Sequence, residues 1–271
     1  MKTLENHVIL FDEECPMCNL YTKTFTHTGM LPQNGREAYQ KMPDEICTLV
    51  DRQRAVNEIA LVNTKTGEVL YGIHSLFKVI GNAAPILNPL FALRPFIWLM
   101  TKFYAFISYN RKVIIPAEVK DHQMQPTFKL RYRLAYLLFT WLITAYILTS
   151  YAHLLTDFVP LGNQYREYLI CGGQLFFQGA IILLYKKDKL WDYLGNLMTI
   201  SFAGSLLLLP VLMAAKYFTF HPIFFIAYFL EVAGLMLLEH LRRSKILKSG
   251  YLLSITWVIY RLIVLGLIFS L

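Results

Sequence analysis

Five apolar blocks of close to 20 residues fill the second half of this chain, at 132–152, 167–185, 194–214, 222–240 and 251–271. About 20 helical residues match a hydrocarbon core of about 30 Å. In that core only helices and closed barrels satisfy every backbone polar group. The blocks therefore predict an all-α transmembrane helical bundle of about five helices over residues 129–271. The third block, with Pro210 inside it, is the weakest of the five, and an even count would make it re-entrant.

The first half reads differently. The whole chain is 56% hydrophobic and 16% charged. A soluble domain is nearer ~45–50% and ~25%, and the apolar excess lies beyond about Lys129. Residues 1–118 are expected to form a separate α/β domain. His7 to Phe11 reads as a strand, Pro16 to about Gly29 as a helix, Arg36 to Lys41 as a short strand and Glu45 to Glu58 as a helix. The stretch "IALVNTKTGEVLY" reads as a hairpin around a Thr-Gly turn, and "GIHSLFKVIG" as a helix ended by Gly81. This order, β-α-β-α-β-β-α, is that of a thioredoxin-like sandwich.

Charge sets the expected orientation. Lys129, Arg131 and Arg133 precede the first block, Lys186, Lys187 and Lys189 follow the second, and Arg242, Arg243, Lys245 and Lys248 follow the fourth. The alternate loops carry only Arg166 and Lys216. The positive-inside rule then puts the N-terminal domain in the cytoplasm and the C-terminus outside, as in a bacterial inner membrane. The net charge of +8 is thereby a matter of topology. The expected partner is the lipid bilayer, not nucleic acid. Met1 to Asn6 has no apolar core, and "HVILF" is too short for a secretory signal. A reducing compartment also argues against structural disulfides among Cys15, Cys18, Cys47 and Cys171.

Chemistry is concentrated in "LFDEECPMCN", residues 10–19. Pro16 suits a first helical position, which puts Cys15 at the N-cap and Cys18 one turn later on the same face. Free N–H groups and the helix dipole favour a thiolate at Cys15. Cys15 then attacks and Cys18 resolves the mixed disulfide. Asp12, Glu13 and Glu14 oppose this by like-charge repulsion, and Asp12 is a candidate proton acceptor for Cys18. A lone CxxC also serves as half of a zinc site. Cys47 stands alone, however, and His27 and His74 are not at ligand spacing from it, so no metal and no cofactor are expected.

"FDEECPMCNLYTKTF", "GEVLYGIHSLFKVIG" and "FYAFISYNRK" together resemble the DCC family (domain of unknown function 393) of thiol-disulfide oxidoreductases. Its Asp-x-x-Cys-x-x-Cys motif falls on Asp12, Cys15 and Cys18. Its closing Tyr and Asn-Arg pattern falls on Tyr104, Asn110 and Arg111. Glu13 stands where members usually have Gly. The resemblance covers about the first 115 residues and implies a thioredoxin-like fold and redox activity. Thioredoxins carry a cis-proline before the third strand, whereas "AVNEIALVN" has no proline.

Two regions remain open. Residues 85–115 read either as helices covering the sandwich or as a helix on the membrane surface, with Lys102, Arg111 and Lys112 near headgroups. Glu231 and Arg261 sit midway along the fourth and fifth blocks, where an ionisable residue needs a partner. They are expected to pair, as a structural lock or as a proton or ligand site, with Gln174 and Gln178 lining the same interior. The leading expectation is a membrane-anchored thiol-disulfide oxidoreductase acting on a protein or small-molecule thiol or disulfide. The alternative is a non-enzymatic transporter or binding bundle with a regulatory thiol domain. A transmembrane disulfide exchanger is disfavoured, since Cys171 is the sole cysteine of the second half. Substrate, electron donor and oligomeric state have no signature in the sequence.

Overall fold

The computed structural model describes residues 2–41, 49–118 and 125–270. The chain divides into two compact units, Met1–Tyr132 and Arg133–Leu271.

The first unit is built on a mixed four-stranded sheet. Its strands are β1 (His7–Phe11), β2 (Arg36–Ala38), β3 (Ala60–Asn63) and β4 (Val69–Tyr71), in the order β2-β1-β3-β4. β1 runs parallel to β2, with Ile9 opposite Arg36, and antiparallel to β3, with Val8 opposite Val62. β3 and β4 form the expected hairpin, with Leu61 opposite Leu70. Gly67 takes φ +74° in its turn, a conformation that side chains with a Cβ rarely adopt. Among the described residues, three helices complete this part: α1 (Pro16–His27), α2 (Arg52–Asn57) and α3 (Ile73–Ala83).

Strand side chains alternate between faces, and both faces of the central pair are covered. On one face Ile9 and Leu61 pack with Phe25 of α1 and Val79 of α3. On the other, Leu10, Ala60 and Val62 pack with Val50, Ala55 and Val56 around α2. Each large side chain buried this way stabilises by about 1.5–3 kcal/mol.

The elements differ from the sequence reading in detail. The strand expected over 36–41 ends at Ala38 and tightens into a 3₁₀ turn, Tyr39–Lys41. Of the helix expected over 45–58, the described part is α2, capped by Asp51 Oδ1 accepting from the Arg54 N–H at 3.0 Å. Residues 49–51 precede it as a non-helical turn, Glu58 follows it in extended conformation, and residues 45–48, with Cys47, lie outside the described residues. Gly81 does not end α3, which continues to Ala83, and the Asn88 side chain occupies the space where a Cβ at Gly81 would stand.

Residues 85–115 form a 3₁₀ turn (Pro85–Leu87), α4 (Asn88–Ala92) and α5 (Arg94–Ile114). α5 turns off by 92° at Leu93, and Pro95 sits in its first turn. The upstream half of α5 leaves Trp98, Leu99 and Phe103 more than half exposed, whereas Ser108, Asn110, Arg111 and Val113 are buried. The downstream half therefore covers the α2–β3 end of the sheet, and the upstream apolar face stays open.

The second unit is all α: α6 (Leu130–Ala152), α7 (Arg166–Tyr185), α8 (Leu190–Ala214), α9 (Pro222–Ile246) and α10 (Leu252–Ser270). Among the described residues these five helices are long and apolar enough to cross a membrane, which fits a multi-pass membrane protein. Their outward positions are apolar, as at Leu169, Phe176, Leu184 and Leu238, the pattern required where lipid is the solvent. α8 continues through Pro210 as one helix. Close approach is built in at Gly172, where a Cβ would come within 2.8 Å of Trp141.

Candidate functional site

The candidate site forms where β1 passes into α1. β1 ends at Phe11, Asp12 follows, and Cys15 caps α1 in extended conformation with Pro16 in the first helical turn. The Cys18 N–H donates to Cys15 Sγ at 3.4 Å, so the sulfur meets one of the orphan donors of the helix end. Both thiols are free and nearly covered, Cys15 keeping 6% and Cys18 3% of its surface.

The two thiols differ in acidity. Cys15 is lowered to about 7, first by a hydrogen bond from the Cys18 thiol and further by Arg111 and the Cys18 N–H, against burial and Asp12. Cys18 is pushed well up, first because its proton is held by Cys15 and then by burial. Tyr21, half-buried beside them with its hydroxyl hydrogen-bonded to Cys18, is pushed up, first by desolvation of that hydroxyl.

Arg111 organises the surroundings. Its Nη2 donates to Asp12 Oδ2 at 2.9 Å, and side-chain exposures are 5% and 7%. The same nitrogen donates to Val56 O at 2.8 Å. The other oxygen of Asp12 accepts from Gln40 Nε2 at 2.9 Å and from the Glu14 N–H at 3.1 Å. The three acids that precede Cys15 are therefore occupied. Glu13 pairs with Lys41 at 2.8 Å on the surface, and Glu14 accepts from Gln125 at 3.3 Å.

One face of α5 fastens the segment before β3. Tyr104 Oη accepts from the Ile59 N–H at 3.1 Å, Ser108 Oγ donates to Asn57 O at 2.5 Å, and Arg111 reaches Val56 O. The spacing of four and three residues puts all three side chains on one helix face. This is the segment that lacks a proline, and side-chain bonds from α5 hold its backbone. Ser108 was missed in the sequence, where it looks like a small residue in an apolar helix. The signal was the polar stripe 104–108–111.

The intramembrane pair is corrected. Glu231 and Arg261 form no ion pair with one another. Glu231 is exposed on the outer side of α9, while its neighbour Val232 is buried. Arg261 Nη2 instead donates to Gln174 Oε1 at 3.3 Å, with its guanidinium 4.1 Å above the Trp257 ring. Equal depth did not bring the two charges together because the rotation of α9 turns Glu231 outward. Gln174 and Gln178 are both buried. Gln178 Oε1 accepts from Tyr193 Oη at 3.0 Å, and Tyr193 Oη lies 3.1 Å from His240 Nε2.

Among the described residues no group of three or more His, Cys, Asp or Glu is arranged to hold a metal ion. A depression of about 710 Å³ in the second unit is lined by Trp141, Tyr146, Tyr165 and Tyr168, and neither Arg261 nor Gln174 lines it. No family model, curated protein or solved structure matches the chain.

Proposed function

We propose that the chain is a membrane-anchored thiol-disulfide oxidoreductase whose reacting groups are Cys15 and Cys18. The observation that carries this reading is the geometry of the pair: Cys15 caps α1 with its sulfur accepting from the Cys18 N–H at 3.4 Å, an arrangement that favours a more acidic Cys15 and a less acidic Cys18. The resemblance to the DCC family points the same way. A thioredoxin-like assignment of the first unit is supported by the strand order β2-β1-β3-β4 and by the position of the dithiol at the start of α1.

In the reductive direction the Cys15 thiolate attacks one sulfur of a substrate disulfide, forming a mixed disulfide and releasing a thiolate. The negative charge that held the Cys18 proton is then gone, so Cys18 gives up that proton to the released substrate thiolate. Its thiolate attacks Cys15 Sγ, closes the Cys15–Cys18 disulfide and releases the second substrate thiolate. Two electrons pass from the dithiol to the substrate, and an external thiol reductant restores the pair. Asp12, with both oxygens occupied, anchors Arg111 rather than serving as the base. Arg111 is the positioning residue that supplies positive charge to the thiolate.

The alternating Lys/Arg flanks support a cytoplasmic location for this unit and an external C-terminus. Trapping tests the reading. Cys18→Ser should accumulate a reducible mixed disulfide through Cys15, and the double variant Cys15→Ser/Cys18→Ser should not. Equal yields from the two variants would sink the proposal.

A further inference from the structure

The centre of the second unit has a deficit of hydrogen-bond acceptors. Arg261 lies midway along α10, Gln174 midway along α7, and the two helices pack side by side. The guanidinium of Arg261 donates to Gln174 Oε1 and stacks on Trp257. Arg261 Nε, Gln174 Nε2 and Trp257 Nε1 are all buried without a hydrogen-bond partner. Gln174 is 6% exposed and Trp257 3%.

The three orphans are all donors. Arginine and the indole have no acceptor to offer. The Gln174 amide is turned by Arg261, which can only donate, so the oxygen faces the guanidinium and the NH₂ is left over. The charge is uncompensated as well. Glu231 faces outward, Glu239 pairs with Arg242 and Arg243, and Glu167 pairs with Arg166. Water is scarce at this depth, so a cation and its spare donors call for an anionic oxygen group.

We propose that Arg261, Gln174 and Trp257 form a binding site for the carboxylate of a long-chain fatty acid. A carboxylate carries one charge against the one of Arg261, and its two oxygens match the guanidinium edge to which Nε belongs. A carboxylic acid can move to this depth in its neutral form and ionise beside Arg261, whereas a phosphodiester headgroup stays charged and is held at the interface. Arg261 is itself part-exposed, and the outer faces of the two helices are apolar, with Leu169 and Phe176 on α7 and Leu262 and Leu265 on α10 exposed. The head enters from the lipid side, and the tail stays against these side chains. This site is independent of the thiol chemistry.

The test is binding of tritiated palmitate to the full-length protein in a nonionic detergent at pH 8, read by scintillation proximity. Saturable binding is expected, displaced by unlabelled palmitate and not by cetyl alcohol, which has the same tail without the charge. Arg261→Met should weaken binding by at least about tenfold, the scale set by losing a hydrogen bond to a charged group. Gln174→Leu should weaken it in the same direction and serves if Arg261→Met fails to fold. Glu231→Gln should leave it unchanged. Displacement by cetyl alcohol as effective as by palmitate overturns the proposal, as does full affinity in both site variants. Displacement by butyrate at comparable concentration overturns the fatty-acid assignment in favour of a water-soluble carboxylate.

Discussion

Arg111 and Asp12, 99 residues apart in the chain, meet in a 2.9 Å ion pair with 5% and 7% of their side chains exposed. The pair joins the end of α5 to the loop that carries Cys15. Breaking a buried pair on one side leaves an uncompensated charge, at a cost of about 3–5 kcal/mol. Arg111→Met or Asp12→Leu alone should lower the denaturation midpoint of the detergent-solubilised chain by that scale. The double variant Asp12→Leu/Arg111→Met should recover much of it. Additive losses would show that the two residues act separately.

The same pair bears on reactivity. Arg111 lowers the pKa of Cys15, and Asp12 raises it. Arg111→Met should therefore shift the midpoint of Cys15 alkylation upward, from about 7 toward the ~8.5 of a free thiol. A variant that folds with its midpoint unmoved would remove Arg111 from the site.

The Tyr104 hydroxyl is the acceptor for the Ile59 N–H. Tyr104→Phe keeps the ring and orphans that buried donor, which costs about 1–3 kcal/mol. Chemical denaturation should read a loss in this range. Asn57 O and Val56 O keep their own partners on α5, so the fold should survive.

Glu231 is exposed on an apolar helix and forms no ion pair with Arg261. Glu231→Leu should leave folded yield in membranes unchanged or raise it. A strong loss of yield would mean that Glu231 has a partner in the membrane that the structure of this chain does not contain.

Much of the first unit was legible because its signals are local. A strand running into Pro-x-Cys set the N-cap, the Thr-Gly turn set the hairpin, and apolar alternation set β1 and β3. The five candidate spans were legible from the length and apolarity of their blocks. The rest depends on contacts distant in sequence or on helix rotation. Arg111 shows nothing beside it in the sequence that tells of Asp12: the sequence offers it as a headgroup contact or as part of the resemblance's closing pattern, and the structure buries it against Asp12 instead. For Glu231 and Arg261 the block midpoints gave depth but not direction. A step of one residue turns a helical side chain by about 100°, which separates the exposed Glu231 from the buried Val232.

Orientation is read by reporters. A fusion after Lys189 should report the cytoplasm and one at the C-terminus the outside, as the alternating Lys/Arg flanks dictate. Both on the same side would contradict five crossings and the cytoplasmic assignment of the dithiol.

The central claim is that Cys15 is the acidic, attacking thiol of a redox pair. Its most direct test is the rate of iodoacetamide modification at Cys15 and Cys18 across pH, read by mass spectrometry on the reduced full-length protein. The thiolate reacts and the thiol does not, so the Cys15 rate should rise with pH and reach half its plateau at about 7. Cys18, pushed well up, should stay unmodified across that range. Equal, slow modification of both residues, with midpoints at or above ~8.5, would contradict the account.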